Sequence, residues 1–335
     1  MKQMWKSWTT GAITIMLVLA LAACGSNNEP KQGTEPAPAA TEQVNPPAEE
    51  TSVLKTEYPL TVKDATGETL TFKEAPKKII SISPAETESL FALGLDEQII
   101  GVSDYDDYPE AATTKPKMGG LYNPNEEAII AAQPDLVVTG ISMSAEAAQH
   151  LRDLGITIFK TDPKTVNDVI ANIELFGQIS DHQEEAKTVI DKMKQEQNEV
   201  TEAVKSLTPE QKKKVYIEFS PGWTVGSGEF MDELITLAGG VNVAADTAGW
   251  YEISEEKIIK DNPDVILFSK NVIDDKTQKT LDQMIKARSG WDQITAVKND
   301  AVYGLDDNLV SRPGPRVTEG LKEIAKAIYP ELLKP

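Results

Sequence analysis

Two stretches of the sequence repeat the same chemistry. Asn125-Glu126-Glu127-Ala128-Ile129-Ile130 runs on to Gln133-Pro134-Asp135-Leu136-Val137-Val138, and Ser254-Glu255-Glu256-Lys257-Ile258-Ile259 runs on to Asn262-Pro263-Asp264-Val265-Ile266-Leu267. Each copy reads as a capping residue, two glutamates, an apolar pair, and Pro-Asp ahead of a buried strand. Asn and Ser are good N-caps, and first-turn carboxylates are favoured by the helix dipole. On a single helix such glutamates are ordinary helix-start residues. At the same place in two halves of a chain they make a pair of equivalent carboxylates, which a two-fold symmetric partner could grip with basic side chains.

A second set of residues suits the capture of a bulky ligand. Tyr105, Tyr122, Trp223 and Trp250 fall in predicted loops at strand ends, where open α/β sheets place their ligand crevice and where rigid rings give large contact area at low entropy cost. Arg312 and Arg316 lie in Ser311-Arg312-Pro313-Gly314-Pro315-Arg316, a stiff turn that holds a guanidinium in place. Such a group suits an anionic or amide-rich ligand, or a structural ion pair with a carboxylate. Catalytic sets are not found. His150 and His182 are the only histidines, and neither has a second His or Cys at metal-ligand spacing. Cys24 is the only cysteine, which removes both an internal disulfide and a thiol nucleophile from the folded body. No phosphate-binding loop ending in Gly-Lys-Ser/Thr is present, so the chain is not expected to hydrolyse nucleotide.

The elements that must position these residues follow from pattern. Lys2 and Lys6 precede an uncharged run from Gly11 to Ala23 that ends Leu21-Ala22-Ala23-Cys24, the layout of a secretory signal over residues 1–23 and too short for a comfortable membrane span. From Cys24 to residue 53 little is large and apolar, so a flexible tether is expected. Leu60, Val62, Leu70 and Phe72 alternate around Asp64-Ala65-Thr66-Gly67 and predict a β-hairpin. Beyond it, short apolar runs at Ile79–Ile82, Ile99–Val102, Leu136–Val138 and Ile156–Phe159 alternate with helical stretches, which argues for an α/β layer of mostly parallel strands. Asp181 to Leu207 holds neither Gly nor Pro and carries its apolar residues at helical spacing, predicting one long amphipathic helix. Alternation resumes at Val215–Phe219. The division is therefore an α/β lobe over 54–180, an interdomain helix over 181–208 and a second α/β lobe over 209–335. The Glu-Glu motif and a Ser-Pro that closes a strand, at Ser83-Pro84 and Ser220-Pro221, each occur once per lobe, as expected of two lobes of similar build.

In the 335 residues, 53 acidic side chains face 33 basic ones, a net charge of −20. That sign opposes nucleic acid and anionic membrane surfaces and points to neutral or locally basic partners.

The Leu21-Ala22-Ala23-Cys24 run resembles the lipobox of bacterial lipoproteins, in which the cysteine becomes the lipidated first residue. Pro76-Lys77-Lys78-Ile79-Ile80-Ser81-Ile82-Ser83-Pro84-Ala85-Glu86-Thr87-Glu88, Phe91-Ala92-Leu93-Gly94 and Gly101-Val102-Ser103-Asp104-Tyr105, with Asp107-Tyr108-Pro109, closely resemble the solute-binding proteins of iron-complex and cobalamin ABC importers. The resemblance runs from about Tyr58 to the end of the chain. It implies the class III periplasmic-binding-protein fold, two Rossmann-like lobes joined by a single long helix that move little on binding, with ligand in the cleft. It also implies a permease dimer that recognises one glutamate on each lobe, here Glu127 and Glu256, with an ATPase on the cytoplasmic side. Ser103 to Pro109, Trp250 ahead of the second docking helix, and Ser311 to Arg316 match the cobalamin-binding branch, in which Tyr105 and Trp250 correspond to corrin contacts. Where the best-known member of that branch carries a tryptophan ahead of the first docking helix, this chain has Leu121-Tyr122.

The expectation is thus a monomeric lipoprotein on the extracytoplasmic face of the cell membrane, anchored through Cys24, with no cofactor or resident metal and no enzymatic activity. Its expected cargo is cobalamin or a related corrinoid, bound by Tyr105, Tyr122, Trp223, Trp250, Arg312 and Arg316. A ferric siderophore or haem is the alternative within the class. A surface hydrolase or adhesin is the alternative outside it, and measurable turnover would favour it.

Overall fold

The computed structural model describes residues 54–333; the signal, Cys24 and the tether expected over 1–53 lie outside these residues. The expected hairpin is present as β1 (Leu60–Lys63) and β2 (Thr69–Phe72), paired antiparallel. Asp64 tightens its turn by accepting from the N–H and hydroxyl of Thr66 and from the N–H of Glu68.

The first lobe continues through β3 (Ile79–Ser81), α1 (Pro84–Ala92), β4 (Ile99–Val102), α2 (Glu110–Thr113), α3 (Glu126–Ala132), β5 (Leu136–Thr139), α4 (Ala145–Asp153) and β6 (Ile158–Lys160). Two helices follow, α5 (Val166–Ser180) and α6 (Gln183–Val204). The second lobe is built from β7 (Lys214–Glu218), β8 (Trp223–Val225), α7 (Phe230–Leu237), β9 (Val241–Asn242), β10 (Trp250–Glu252), α8 (Glu255–Asp261), β11 (Val265–Ser269), α9 (Leu281–Ala287), α10 (Thr295–Lys298), β12 (Val302–Leu305), α11 (Asp307–Val310) and α12 (Val317–Ile328). The two main sheets are parallel, with strand orders β4-β3-β5-β6 and β12-β11-β7-β9. Counted by appearance within its own lobe, each sheet runs second, first, third, fourth. The two lobes therefore repeat a topology as well as a motif.

Side-chain alternation along the strands fixes the layers, because successive residues face opposite sides of a sheet. Leu136 and Val138 enter one apolar cluster and Val137 another; Val215 and Ile217 join the first of these, while Tyr216 enters a third. Both faces of each sheet are thus covered by helices, as parallel sheets require. The shared cluster crosses from one lobe to the other through α1, α5, α6, α7 and α12. The other two belong to one lobe each, and α3 and α8 plug them with their single fully buried residues, Ile129 and Ile258.

The long helix expected over Asp181–Leu207 is found at Gln183–Val204. It is preceded by α5, whose Val166, Val169, Ile170, Ile173, Phe176 and Ile179 are buried at helical spacing. That helix was not marked in the sequence. The junction is sharp because Asp181 takes a left-handed conformation (φ 60°), and the two helices approach closely at Gly177, where a Cβ would lie 2.6 Å from that of Ala186. No helix among the described residues is long and apolar enough to cross a membrane.

Candidate ligand-binding cleft

Residues that follow the carboxyl ends of strands in both sheets converge on a cleft between the lobes. Its larger part, about 610 Å³, is lined by Tyr122, Asp162 and Lys164 from the first lobe and by Phe219, Trp223, Glu229 and Trp250 from the second. A narrower part of about 300 Å³ adjoins it, sharing Ile141, Ser142 and Ser311, and is lined further by Ser83, Glu86, Tyr105, Asp307 and Arg312. Five of the six residues predicted to bind ligand therefore face one continuous space.

The second lobe supplies a rigid aromatic wall. β8 and β10 pair antiparallel, with Trp250 opposite Val225 and Trp223 opposite Glu252, so the two tryptophans project from the same face of the ladder. Trp250 is fixed edge-on against Phe219 (centroids 4.8 Å apart, 88°) and tilted against Phe230 (5.9 Å). Phe219 was not singled out in the sequence, although its Phe219-Ser220-Pro221 run echoes Ile82-Ser83-Pro84. The first lobe supplies loose rings instead: Tyr105 is 61 % exposed and Tyr122 68 %. Rings exposed this far inside a cleft are apolar area that a ligand can cover.

The charges around the cleft are paired off. Lys164 bridges Glu229 (3.0 Å) and Asp162 (3.4 Å), tying first lobe to second across the larger part. Arg312 holds Asp107 (2.6 Å) and Glu88 (3.1 Å). Burial works against the Arg312 charge, but the two carboxylates outweigh it and raise its pKa. Arg316 is bidentate to Glu88 (2.8 and 2.7 Å) and stacks 3.8 Å over the Tyr108 ring. It lines a separate hollow of about 350 Å³ with Phe91, Val189 and Lys192 and is not among the residues lining the cleft. Of the two uses foreseen for these arginines, the geometry displays the ion pair: a buried carboxylate on α1 receives both guanidiniums from the opposite lobe. Glu88 could have been sought in the sequence, since two fixed arginines in a stiff turn call for a carboxylate. The Lys164 and Glu229 pairing has no spacing signal at all.

Beneath the narrow part lies Glu86, 3 % exposed, whose carboxyl is pushed up in pKa by burial against the weaker opposing pull of Ser83, Thr161 and Lys160. Its Oε1 accepts from Thr161 Oγ1 (2.5 Å), while its Oε2 is buried beside Gly140 and the Ser83 hydroxyl. Lys160 is also buried, donating to the carbonyls of Gly140 (3.2 Å) and Thr161 (3.1 Å), and burial lowers its pKa.

At the helix starts the two lobes agree in detail. Asn125 Oδ1 accepts from Ala128 N–H (3.1 Å) and Ser254 Oγ from Lys257 N–H (3.4 Å). Both helices end on a left-handed residue, Gln133 and Asn262. Pro-Asp then reaches back: Asp135 accepts from Lys78 N–H (2.9 Å) and Asp264 from Lys214 N–H (2.8 Å). In both copies the first glutamate is engaged within its lobe, Glu126 by His150 (3.2 Å) and Glu255 by Arg288 (3.3 Å). The second glutamates, Glu127 and Glu256, are exposed and have no ion pair among the described residues. Among those residues no three His, Cys, Asp or Glu side chains are grouped to hold a metal.

Residues 79–309 match the periplasmic binding protein family. An uncharacterized ABC transporter substrate-binding lipoprotein, YvrC of Bacillus subtilis, is 36 % identical over 288 residues, covering 84 % of this chain and 89 % of the relative. The crystal structure of the periplasmic vitamin B12 binding protein BtuF of Vibrio cholerae superposes with a TM-score of 0.66 at 26 % identity, covering 76 % of this chain and 96 % of that one. A possible iron-binding, periplasmic solute-binding protein of Staphylococcus epidermidis superposes with a TM-score of 0.65 at 31 % identity, covering 76 % and 100 %.

Proposed function

The chain belongs to the periplasmic binding protein family, a family of solute binders and not of enzymes, and we propose that the solute it delivers to an ABC importer is a corrinoid, cobalamin or a precursor. The cation pairing in the cleft carries this reading. Lys164 and Arg312, the basic side chains that line it, are each held by two carboxylates, and Glu86 and Asp307 add acidic groups. A ferric catecholate, with several negative charges, or haem, with two propionates, would meet no free cation there and would have to displace existing ion pairs. A bulky ligand close to neutral and rich in amides meets aromatic surface and hydrogen-bonding side chains instead. The cobalamin- and vitamin B12-binding proteins among the relatives lend the same support, at 26 % identity.

Delivery is assigned to Glu127 and Glu256. They are the members of two equivalent helix starts that have no ion pair among the described residues, and a permease dimer with a basic residue on each half would receive both at once. Retention at the extracytoplasmic face is assigned to a lipid on Cys24, in keeping with the lipoprotein nature of the Bacillus relative.

A fluorescence titration of the purified protein with cyanocobalamin, ferric siderophores and haemin tests the cargo, because Trp223 and Trp250 sit in the contact surface. Quenching by cyanocobalamin at micromolar levels, with weaker response to the others, is expected. No response to cyanocobalamin would overturn the corrinoid reading, and saturation by a ferric complex would replace it.

A further inference from the structure

We propose that Glu218 is a positioning residue for the cargo, resting on the corrinoid reading: buried in the second lobe and locked by Arg288, it holds the backbone turn that aims Trp223 into the cleft. The turn is Ser220-Pro221-Gly222-Trp223. Trp223 N–H donates to the Ser220 carbonyl (2.9 Å) and Gly222 is left-handed (φ 76°), the type II arrangement with Pro and Gly at its centre. Such a turn leaves the Gly222 N–H outside its own hydrogen bond. That N–H donates to Glu218 Oε1 (2.9 Å), and the Gly222 carbonyl accepts from Ile253 N–H (2.9 Å). Gly222 is thus fastened on both sides. Trp223, the next residue, lines the larger part of the cleft and is 38 % exposed. A ring whose backbone is held before cargo arrives loses less freedom when cargo settles on it.

The charge on Glu218 points to this role. Apolar side chains of similar volume often replace a buried ion pair without loss of stability, so packing alone does not require a carboxylate at the end of β7. Glu218 nonetheless stands there fully buried, bidentate to Arg288 (2.6 Å twice) and accepting from the Tyr216 hydroxyl (2.8 Å). Arg288 lies over the buried Trp291 ring (4.6 Å), and Tyr216 packs edge-on against the same ring (5.8 Å). Those partners fix the carboxylate from the core, and Gly222 is its partner on the cleft side. The first lobe has no such device. Its matching run, Ser81-Ile82-Ser83-Pro84, carries a serine where the second lobe has Glu218, and it leads straight into α1 with Ser83 as N-cap and no ring on display. The buried charge occurs in the lobe where the Ser-Pro turn presents an aromatic side chain.

Calorimetric titration with cyanocobalamin tests the role as a cycle, each variant being titrated below its own unfolding transition. Trp223→Ala should weaken binding about tenfold. Glu218→Met with Arg288→Met keeps the volume and strands no charge but removes the Gly222 acceptor. It should weaken binding about fivefold, and adding Trp223→Ala to it should cost little beyond Trp223→Ala alone. Glu218→Ser with Arg288→Met, which places the first lobe's residue here, should give the same result by a second route. Glu218→Gln retains an acceptor for Gly222 and should bind within about threefold of the unaltered protein. Losses that multiply through the cycle would overturn the role, because Glu218 would then act elsewhere than through Trp223. Unchanged affinity in both Arg288→Met pairs would also overturn it, as would a loss in Glu218→Gln equal to theirs, and in each of these cases the corrinoid reading stands. Failure of the unaltered protein to bind cyanocobalamin would overturn both together.

Discussion

The two lobes present the same helix start and secure it by different means. In the first lobe Glu126 is held by His150, and both side chains are about half exposed, a contact that is ionic only when the imidazole is protonated. In the second lobe Glu255 is held by Arg288, whose guanidinium is also bidentate to Glu218 (2.6 Å twice) and lies 4.6 Å over the Trp291 ring. Glu218 is fully buried at the end of β7; it accepts from the Tyr216 hydroxyl (2.8 Å) and from Gly222 N–H (2.9 Å), the residue next to Trp223 of the cleft wall. The difference teaches that the repeated motif encodes only the presentation of Glu127 and Glu256. The anchoring behind each is local, and in the second lobe it runs through the core to the ligand-facing strand.

If presentation is what the repeat preserves, the largest effect comes from inverting it. Replacing Glu127→Lys and Glu256→Lys together should abolish import of labelled corrinoid while the Kd of the purified protein stays within about twofold, because both positions are exposed and neither lines the cleft. Each single reversal should reduce uptake to a similar degree despite the unlike anchors. Loss of ligand binding in the double variant, or undiminished import, would refute the docking assignment, and a strong asymmetry between the singles would break the equivalence of the lobes.

Anchoring is the next term. Arg288→Met leaves the Glu218 carboxylate buried with no cation, which typically costs about 3–5 kcal/mol, whereas His150→Ala removes an exposed contact and should cost within about 0.5 kcal/mol. Urea unfolding of the two variants measures this directly. Glu218→Gln added to Arg288→Met should recover part of the loss, because the stranded charge is then gone. Equal and small changes in both single variants would show that the second-lobe network is not a structural anchor.

Much of this architecture was legible because it rests on apolar spacing. The hairpin, the parallel strands and the paired helix starts follow from period-two and period-3.6 patterns that burial imposes on any strand or helix. Helix α5 has no sequence prediction to match it although Val166 to Ile179 carries the same spacing; its end is set by Asp181 in a left-handed conformation, which no residue preference announces strongly. In the cleft, the aromatic residues were legible as a set because large rings in predicted loops need a reason to be there, although Trp223 and Trp250 stand on the short paired strands β8 and β10 and not in loops. The ionic pairings were not. Glu88 with Arg312 and Arg316, or Lys164 with Glu229, are separated by 65 to 228 positions, and their proximity exists only once both lobes are folded.

The walls of the cleft give the smallest and sharpest contrast. Trp250 is held by Phe219 and Phe230 before any ligand arrives, so its stacking energy is not diminished by ordering the ring. Tyr122, at 68 % exposure, must give up side-chain freedom when cargo settles on it. Trp250→Ala is therefore expected to weaken corrinoid binding by about 2 kcal/mol, roughly thirtyfold, and Tyr122→Ala by about 1 kcal/mol or less. Calorimetric titration of both variants separates the cases further, because loss of a ring that has to be ordered also removes an unfavourable entropy and leaves the smaller net change. A greater loss from Tyr122→Ala than from Trp250→Ala would reverse the assignment and make the first lobe the principal ligand wall, with the packed tryptophan serving only to stiffen β8 and β10.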